Sequence, residues 1–298
     1  MPASHPIRHR IRKHRHAAKP DAEKRAAYWQ EHHERGAHLQ VISAFYQQGQ
    51  RYAAQKNHAA AATAYLRAAE QGHTKAMQQL ALCYTFGRGV AQDHCEARYW
   101  NERGIKNGDL ICHNNFALQL LDDKGGAANP EKALSHLRIA AYRGYPLAQY
   151  NLARQYHKGK HIRQNLARAM RWYHKAAAQN VIPAHYWLGR LYSHRNYRDP
   201  QRAYYHLFAA AKSGHVQAQR YLGEYSYSGE LWPRDYQEAA YWLEAAAQQG
   251  EARAQYQIAR LYQQGIGVLV NYGRYLNYMH RAAAQGYRPA REALHLLP

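Results

Sequence analysis

The side chains in this sequence that could do chemistry are three cysteines, 21 histidines, 20 carboxylates, 41 Lys and Arg residues and 27 tyrosines. Their spacing argues against most of that chemistry. Cys83, Cys95 and Cys112 are odd in number and confined to one short stretch, so they form neither a disulfide framework nor a paired C-x-x-C metal site. A reducing compartment suits them, and a cytoplasmic location is the expectation. His14/His16 and His32/His33 are close together but lack the i, i+4 pairing with a carboxylate that marks helical zinc ligands. Cys112 and His113 are neighbours on a helix and point different ways. G-x-S-x-G, S-x-x-K, H-E-x-x-H and P-loop motifs are absent, and the sparse acids supply no paired carboxylates. No catalytic residue, no metal and no cofactor is expected.

What remains is recognition. Tyr150/Arg154, Tyr186/Arg190 and Tyr256/Arg260 are Tyr-x-x-x-Arg pairs, and Arg220/Glu224 holds the same place as Arg-x-x-x-Glu. Residues four apart share one helix face. Tyr brings rigid amphipathic area and Arg a bidentate fork for carboxylate or phosphate, the combination enriched at binding hot spots. The plainer alternative is that each Tyr packs against its neighbouring unit while each Arg solvates a helix. Both readings stand on the sequence.

The elements that position these pairs follow from an internal repeat. Gly72, Gly108, Gly144, Asn180, Gly214, Gly250 and Gly286 recur at intervals of 36, 36, 36, 34, 36 and 36 residues. Ala-Ala precedes all but one of them, Gly104-Ile105 taking its place before Gly108. Gly and Asn enter the left-handed conformation at least cost, so each closes a helix. A new helix then carries an apolar stripe at i, i+4 and i+8: Ala76/Leu80/Tyr84, Ala148/Leu152/Tyr156, Ala184/Leu188/Tyr192 and Ala254/Ile258/Tyr262. A Gly-containing turn follows, and Asp93, Asn129, Asn165, Asp199, Asp235 and Asn271 are placed to cap a second helix. That helix carries Trp100, Trp172, Trp242 or Tyr278, with His136 and His206 in the same slot of two units. Two antiparallel helices cannot bury their stripes alone, so neighbours must stack.

This pattern resembles the Sel1-like repeat, a relative of the tetratricopeptide repeat. The stretches ALCYTFGRGVAQDHCEARYW, YNLARQYHKGKHIRQNLARAMRWYHKAAAQN and YQIARLYQQGIGVLVNYGRYLNYMHRAAAQG carry it most fully. The resemblance implies an all-α fold, a right-handed α-solenoid superhelix of about seven tandem antiparallel helix pairs. It also implies that the first helices line a concave face, which would make Tyr150, Arg154, Tyr186, Arg190, Arg220, Glu224, Tyr256 and Arg260 a partner-binding surface. Residues 1–20 read as a disordered basic tail, 21–39 as a capping helix running from Asp21 to Gly36, and 40–298 as the repeat solenoid. Departures from the pattern are Leu120 and Ser226 at the Tyr position and a two-residue deletion near His194-Arg195-Asn196.

Formal net charge is +21 with His neutral, and mean hydropathy is −0.78. Arg8, Arg10, Arg12, Lys13 and Arg15 lie in an acid-free terminus without an apolar leader segment, and the body is basic as well. No run of eighteen apolar residues suggests a membrane span. Two functions fit. One is a non-enzymatic adaptor that holds an acidic protein or peptide partner on the Tyr/Arg face. The other is a polyanion-binding protein that uses the tail and basic body to hold nucleic acid, acidic polysaccharide or an anionic membrane surface. Histidine protonation is expected to tighten either kind of anion binding toward pH 5. Oligomeric state has no signature in the sequence.

Overall fold

The computed structural model describes residues 22–122 and 125–295, and every regular element among them is helical. The chain divides into two compact units, Met1–Gln92 and Asp93–Pro298. In the first, α1 (Ala22–Ala54), α2 (His58–Glu70) and α3 (Thr74–Phe86) pack in chain order. The second begins with α4 (His94–Lys106). It continues as pairs of a first and a second helix: α5 (Leu110–Leu121) with α6 (Pro130–Tyr142), α7 (Pro146–Lys158) with α8 (Leu166–Ala177), and α9 (Ile182–Ser193) with α10 (Pro200–Lys212). Then come α11 (Val216–Ser228) with α12 (Tyr236–Gln248), α13 (Ala252–Gln264) with α14 (Tyr272–Ala284), and a closing α15 (Arg288–His295). Each helix of this unit packs chiefly on the ones before and after it, the arrangement of an α-solenoid.

Local chemistry sets the helix boundaries where the sequence places them. The side-chain oxygens of Asp93, Asn129, Asn165, Asp199, Asp235 and Asn271 accept backbone N–H bonds from the first turns of α4, α6, α8, α10, α12 and α14. All seven terminators have positive φ, from 61° at Asn180 to 94° at Gly144 and Gly250. A second series of caps stands one residue beyond a terminator. His73 accepts from Ala76 N–H, Asp109 from Cys112, His215 from Ala218 and Glu251 from Ala254. The turn glycines answer to a further demand. At Gly125 and Gly267, a Cβ would overlap the carbonyl of His94 or of Tyr236, the first residue of the second helix before it. The turn therefore lies backbone to backbone on that helix.

The core is a thin layer of small residues and Leu. Ala140/Ala148, Ala176/Ala184, Ala210/Ala218, Ala246/Ala254 and Ala282/Ala290 are all 0% exposed, and the stripe residues Leu152, Leu188, Leu222 and Ile258 are buried beside them. Tyr156, Tyr192 and Tyr262 end the stripes, and Trp100, Trp172, Trp242 and Tyr278 close the second-helix side.

Two boundaries differ from expectation. Helix α1 runs unbroken from Ala22 to Ala54, so Gly36 does not stop it and residue 39 marks no break. Gly inside a helix costs about 1 kcal/mol, which the helix-forming residues on either side outweigh when no left-handed cap is adopted. The expected cap Asp21 lies outside the described residues, as do Arg8, Arg10, Arg12, Lys13 and Arg15. The two-residue deletion is absorbed by a 3₁₀ turn, Arg195–Tyr197, whose Asn196 N–H donates to the His194 ring.

Candidate functional site

The Tyr-x-x-x-Arg pairs lie on the first-helix layer of the second unit, and their arrangement changes along it. On α7, the Arg154 guanidinium stands 5.7 Å over the Tyr150 ring, and Tyr150 packs against Tyr173 of α8. On α9, Tyr186 stacks on His215 of the following unit with centroids 4.5 Å apart, so half of the plainer reading holds there. Its partner Arg190 reaches forward too, lying 3.8 Å over the ring of Tyr221 on α11. On α13, Tyr256 packs on Tyr287 and Arg260 is exposed.

Arg220 behaves differently because it is only 8% exposed. Its guanidinium pairs with Glu224 at 2.8 Å and with Glu251 at 3.2 Å, while Glu224 takes Arg253 at 2.7 Å and the Gln257 amide at 3.0 Å. Opposite charges on both sides offset the cost of burying this guanidinium, although Arg220 Nε and Gln257 Oε1 make no hydrogen bond. The network clamps α11 to α13, and its Glu224, Arg253 and Gln257 line a cleft of about 400 Å³. Tyr221, Tyr225, Glu224, Arg253, Tyr256 and Arg260 line that cleft. Three of the eight residues named from sequence thus meet in one concavity, and Arg190 touches it through Tyr221. Tyr150 and Arg154 do not line it. The sequence reading missed Tyr221, Tyr225 and Arg253, although Tyr221 and Tyr225 are themselves an i, i+4 pair.

The Ser226 departure has a structural explanation beside this cleft. In the three stripes of the second unit that end in Tyr, that Tyr meets an Arg on the second helix: Arg168 lies over Tyr156, Arg202 donates to the Tyr192 hydroxyl, and Arg274 donates to that of Tyr262. Here Ser226 donates to Glu238 at 2.7 Å and accepts from Trp232 Nε1 at 3.0 Å, while Tyr204 also donates to Glu238. Tyr and Arg have been exchanged together for Ser and Glu.

Histidines enter the fold as neutral groups more than the composition suggests. His113 and His136 pair through their Nδ1 atoms at 2.9 Å, and His185 pairs with His206 at 3.0 Å. Burial lowers the pKa of all four, and also of His73, His157, His174 and His215. The gain in charge toward pH 5 is therefore smaller than a count of histidines implies. Among the described residues no group of three or more His, Cys, Asp or Glu is arranged to hold a metal, and no helix is long and apolar enough to cross a membrane.

The helix-pair period and its caps coincide with matches to the Sel1 repeat at residues 43–73, 74–109, 120–145, 146–181, 182–215, 216–251 and 252–287. The chain belongs to the Sel1 repeat family. Its fold is that of a Sel1 repeat protein from Oxalobacter formigenes, at TM-score 0.73 and 29% identity over 86% of this chain and 76% of that one. A protective antigen of uropathogenic Escherichia coli strains, described as displaying the SLR fold, gives TM-score 0.74 at 28% identity over 85% of this chain and 57% of that one. In sequence, the chain is 35% identical over 241 residues to the mouse DAP3-binding cell death enhancer 1, covering 81% of this chain and 34% of that protein. It is 33% identical over 105 residues to HRD3B, an ERAD-associated E3 ubiquitin-protein ligase component of Arabidopsis thaliana, covering 34% of this chain and 16% of that one. The chain thus spans about a third of the mouse relative's length and about a sixth of the plant one's. Sel1 repeats are generally scaffolds for protein interaction, and a surface that joins aromatic rings, paired charges and a cleft is consistent with that use.

Proposed function

We propose that this Sel1 repeat protein is an adaptor that holds an acidic, extended segment of a partner protein across its first-helix face, with the cleft between α11 and α13 as the anchor. The cleft carries the reading. It combines Tyr rings with Arg253 and Arg260, while Glu224 is already engaged with Arg220 and Arg253. Side chains of a partner would pack on Tyr221, Tyr225 and Tyr256, and a carboxylate would find Arg260 at the rim. Arg190 and Tyr186 extend the surface toward α9, and Tyr150 and Arg154 extend it to α7. The two named relatives, a binding protein and a ligase component, support an adaptor role without supplying the partner.

The test is capture of partners from the native source at moderate and high salt by three proteins: the full chain, one lacking residues 1–20, and Tyr256→Ala/Arg260→Ala. A single protein retained by the first two at both salts and lost by the third supports the reading. Retention by the third, or loss of all bound protein at high salt, sinks it.

A further inference from the structure

The opposite, second-helix layer carries a different chemistry. Helices α8 and α10 contain no carboxylate, yet between them they present Arg168, Arg171, Lys175 and Arg202 as exposed cations. Two clefts open beside them. One, of about 390 Å³, is lined by Tyr142, Tyr156, Arg168, Arg171, Trp172 and Lys175. The next, about 630 Å³, includes His174, His185, Arg202, Tyr205 and His206 in its walls. Neither lining includes an acid, whereas the first-helix cleft contains Glu224 and Glu230. Acids do stand on the neighbouring helices: Glu131 is exposed in the first turn of α6, and Glu238 of α12 accepts from Tyr204 of α10. Glu102 pairs with Lys132 on one side, Glu244 pairs with Arg274 on the other, and Asp199 caps α10 while pairing with Arg202.

Exposed rings stand among these cations. Tyr142 is 75% exposed and meets Trp172 edge-on at 5.0 Å, with the Lys175 ammonium 4.7 Å above the indole. Tyr205 is 63% exposed at the mouth of the second cleft. Nothing in the core requires two large rings to stand in water, and a polyphosphate chain needs only the charges. Rings and charges together, repeated in consecutive units, suit a ligand that alternates planar apolar groups with anions.

We infer that the α6–α8–α10 surface binds single-stranded nucleic acid, phosphates lying against Arg168, Arg171, Lys175 and Arg202 and bases stacking on Tyr142 and Tyr205. A duplex offers phosphates but hides its base faces, so the rings select the single strand. This site is separate from the first-helix cleft and does not depend on the adaptor reading.

Fluorescence anisotropy of the full chain with a labelled twelve-residue oligothymidylate, over a salt series, tests the inference. Four phosphate contacts predict a slope of log K against log salt of about −3, since single strands release about 0.7 counterion per contact. Arg171→Gln/Lys175→Gln should flatten that slope by about 1.4. Tyr142→Ala and Tyr205→Ala should each weaken binding about tenfold with the slope unchanged, because stacking is lost without a phosphate contact. Tyr256→Ala/Arg260→Ala should bind as the parent does, which separates this site from the adaptor cleft. Circular dichroism of each variant checks folding. Equal competition by inorganic polyphosphate, equal affinity for a duplex, ring variants that bind like the parent, or loss of binding on deleting residues 1–20 alone would each overturn the inference.

Discussion

At the scale of single residues, the Ala pair that lets successive helices approach also explains its own exception. Gly104 occupies the slot filled by Ala140, Ala176, Ala210, Ala246 and Ala282, and Cys112 occupies that of Ala148, Ala184, Ala218, Ala254 and Ala290. A Cβ on Gly104 would overlap the Cys112 sulfur, so a Gly/Cys contact replaces an Ala/Ala one. Gly104→Ala alone should overpack the site and cost about 1–3 kcal/mol, and Cys112→Ala alone should leave a small void costing about 1 kcal/mol. The double variant recreates the contact used in other units and should recover most of the stability, giving a coupling energy of about 1–2 kcal/mol in a urea-denaturation cycle. Strict additivity would show that the two sites do not share this space. The sequence displayed the missing Ala at 104 but not its partner, because the exchange is between positions on different helices. Caps and terminators were legible for the opposite reason. Asn165 and Gly144 answer to the backbone within a few residues of themselves, and such demands travel with the residue type. The Tyr/Arg face was half legible: its pairs share a helix face as expected, yet Arg190 spends its charge on Tyr221 of the next unit and Arg220 on buried carboxylates.

Between elements, the histidine pairs make two of the helix contacts sensitive to acid. His206 on α10 faces His185 of α9, His174 of α8 and Arg202, and burial followed by these neighbours brings its pKa down to about 3. His136 on α6 faces His113 of α5 and Lys132, with Glu102 as the countervailing charge, and burial is again the main cause of a fall to about 4. In the unfolded chain both rings titrate near 6.5. The folded protein therefore refuses protons that the unfolded chain accepts, and its stability is complete above about pH 6.5 and declines as the pH falls from there toward 4 and 3. Each ring should contribute a loss of up to about 2 kcal/mol by pH 5, less at the half-buried His136 where solvent screens the charge, read as a fall in the urea midpoint with pH. The same positions hold Gln149 with Trp172 and Gln219 with Trp242 in other units. His185→Gln/His206→Trp should accordingly remove this pair's share of the acid sensitivity and leave that of the other buried histidines, with stability at pH 7.5 within about 1–2 kcal/mol of the parent. An unchanged pH profile in that variant would move the origin of the sensitivity elsewhere.

At the scale of the second unit as a whole, stability is a chain of neighbour contacts without a common centre, since each helix finds its partners immediately before and after it. Such an array melts from its ends, and a defect costs most in the repeats that touch it. Helix α15 is the end of the array. Ala290 is fully buried there, against the layer that holds Tyr278, Met279 and Ala282 of α14. Burying a carboxylate at that position has no counter-charge to offset it, so Ala290→Glu should detach α15 at a cost of several kcal/mol to that contact. The loss should not spread evenly. Amide exchange in α13 and α14 should quicken by more than tenfold, while α5 to α8, four helix pairs away in sequence order, keep protection close to that of the parent. Uniform acceleration across the unit would mean that α4–α15 fold as a single cooperative body, and the repeats would then be a pattern of sequence without being units of stability. Retained protection at the far end would give each repeat its own thermodynamic identity. It would also mean that the first-helix cleft at α11–α13 and the basic surface at α6–α10 can tighten or loosen separately.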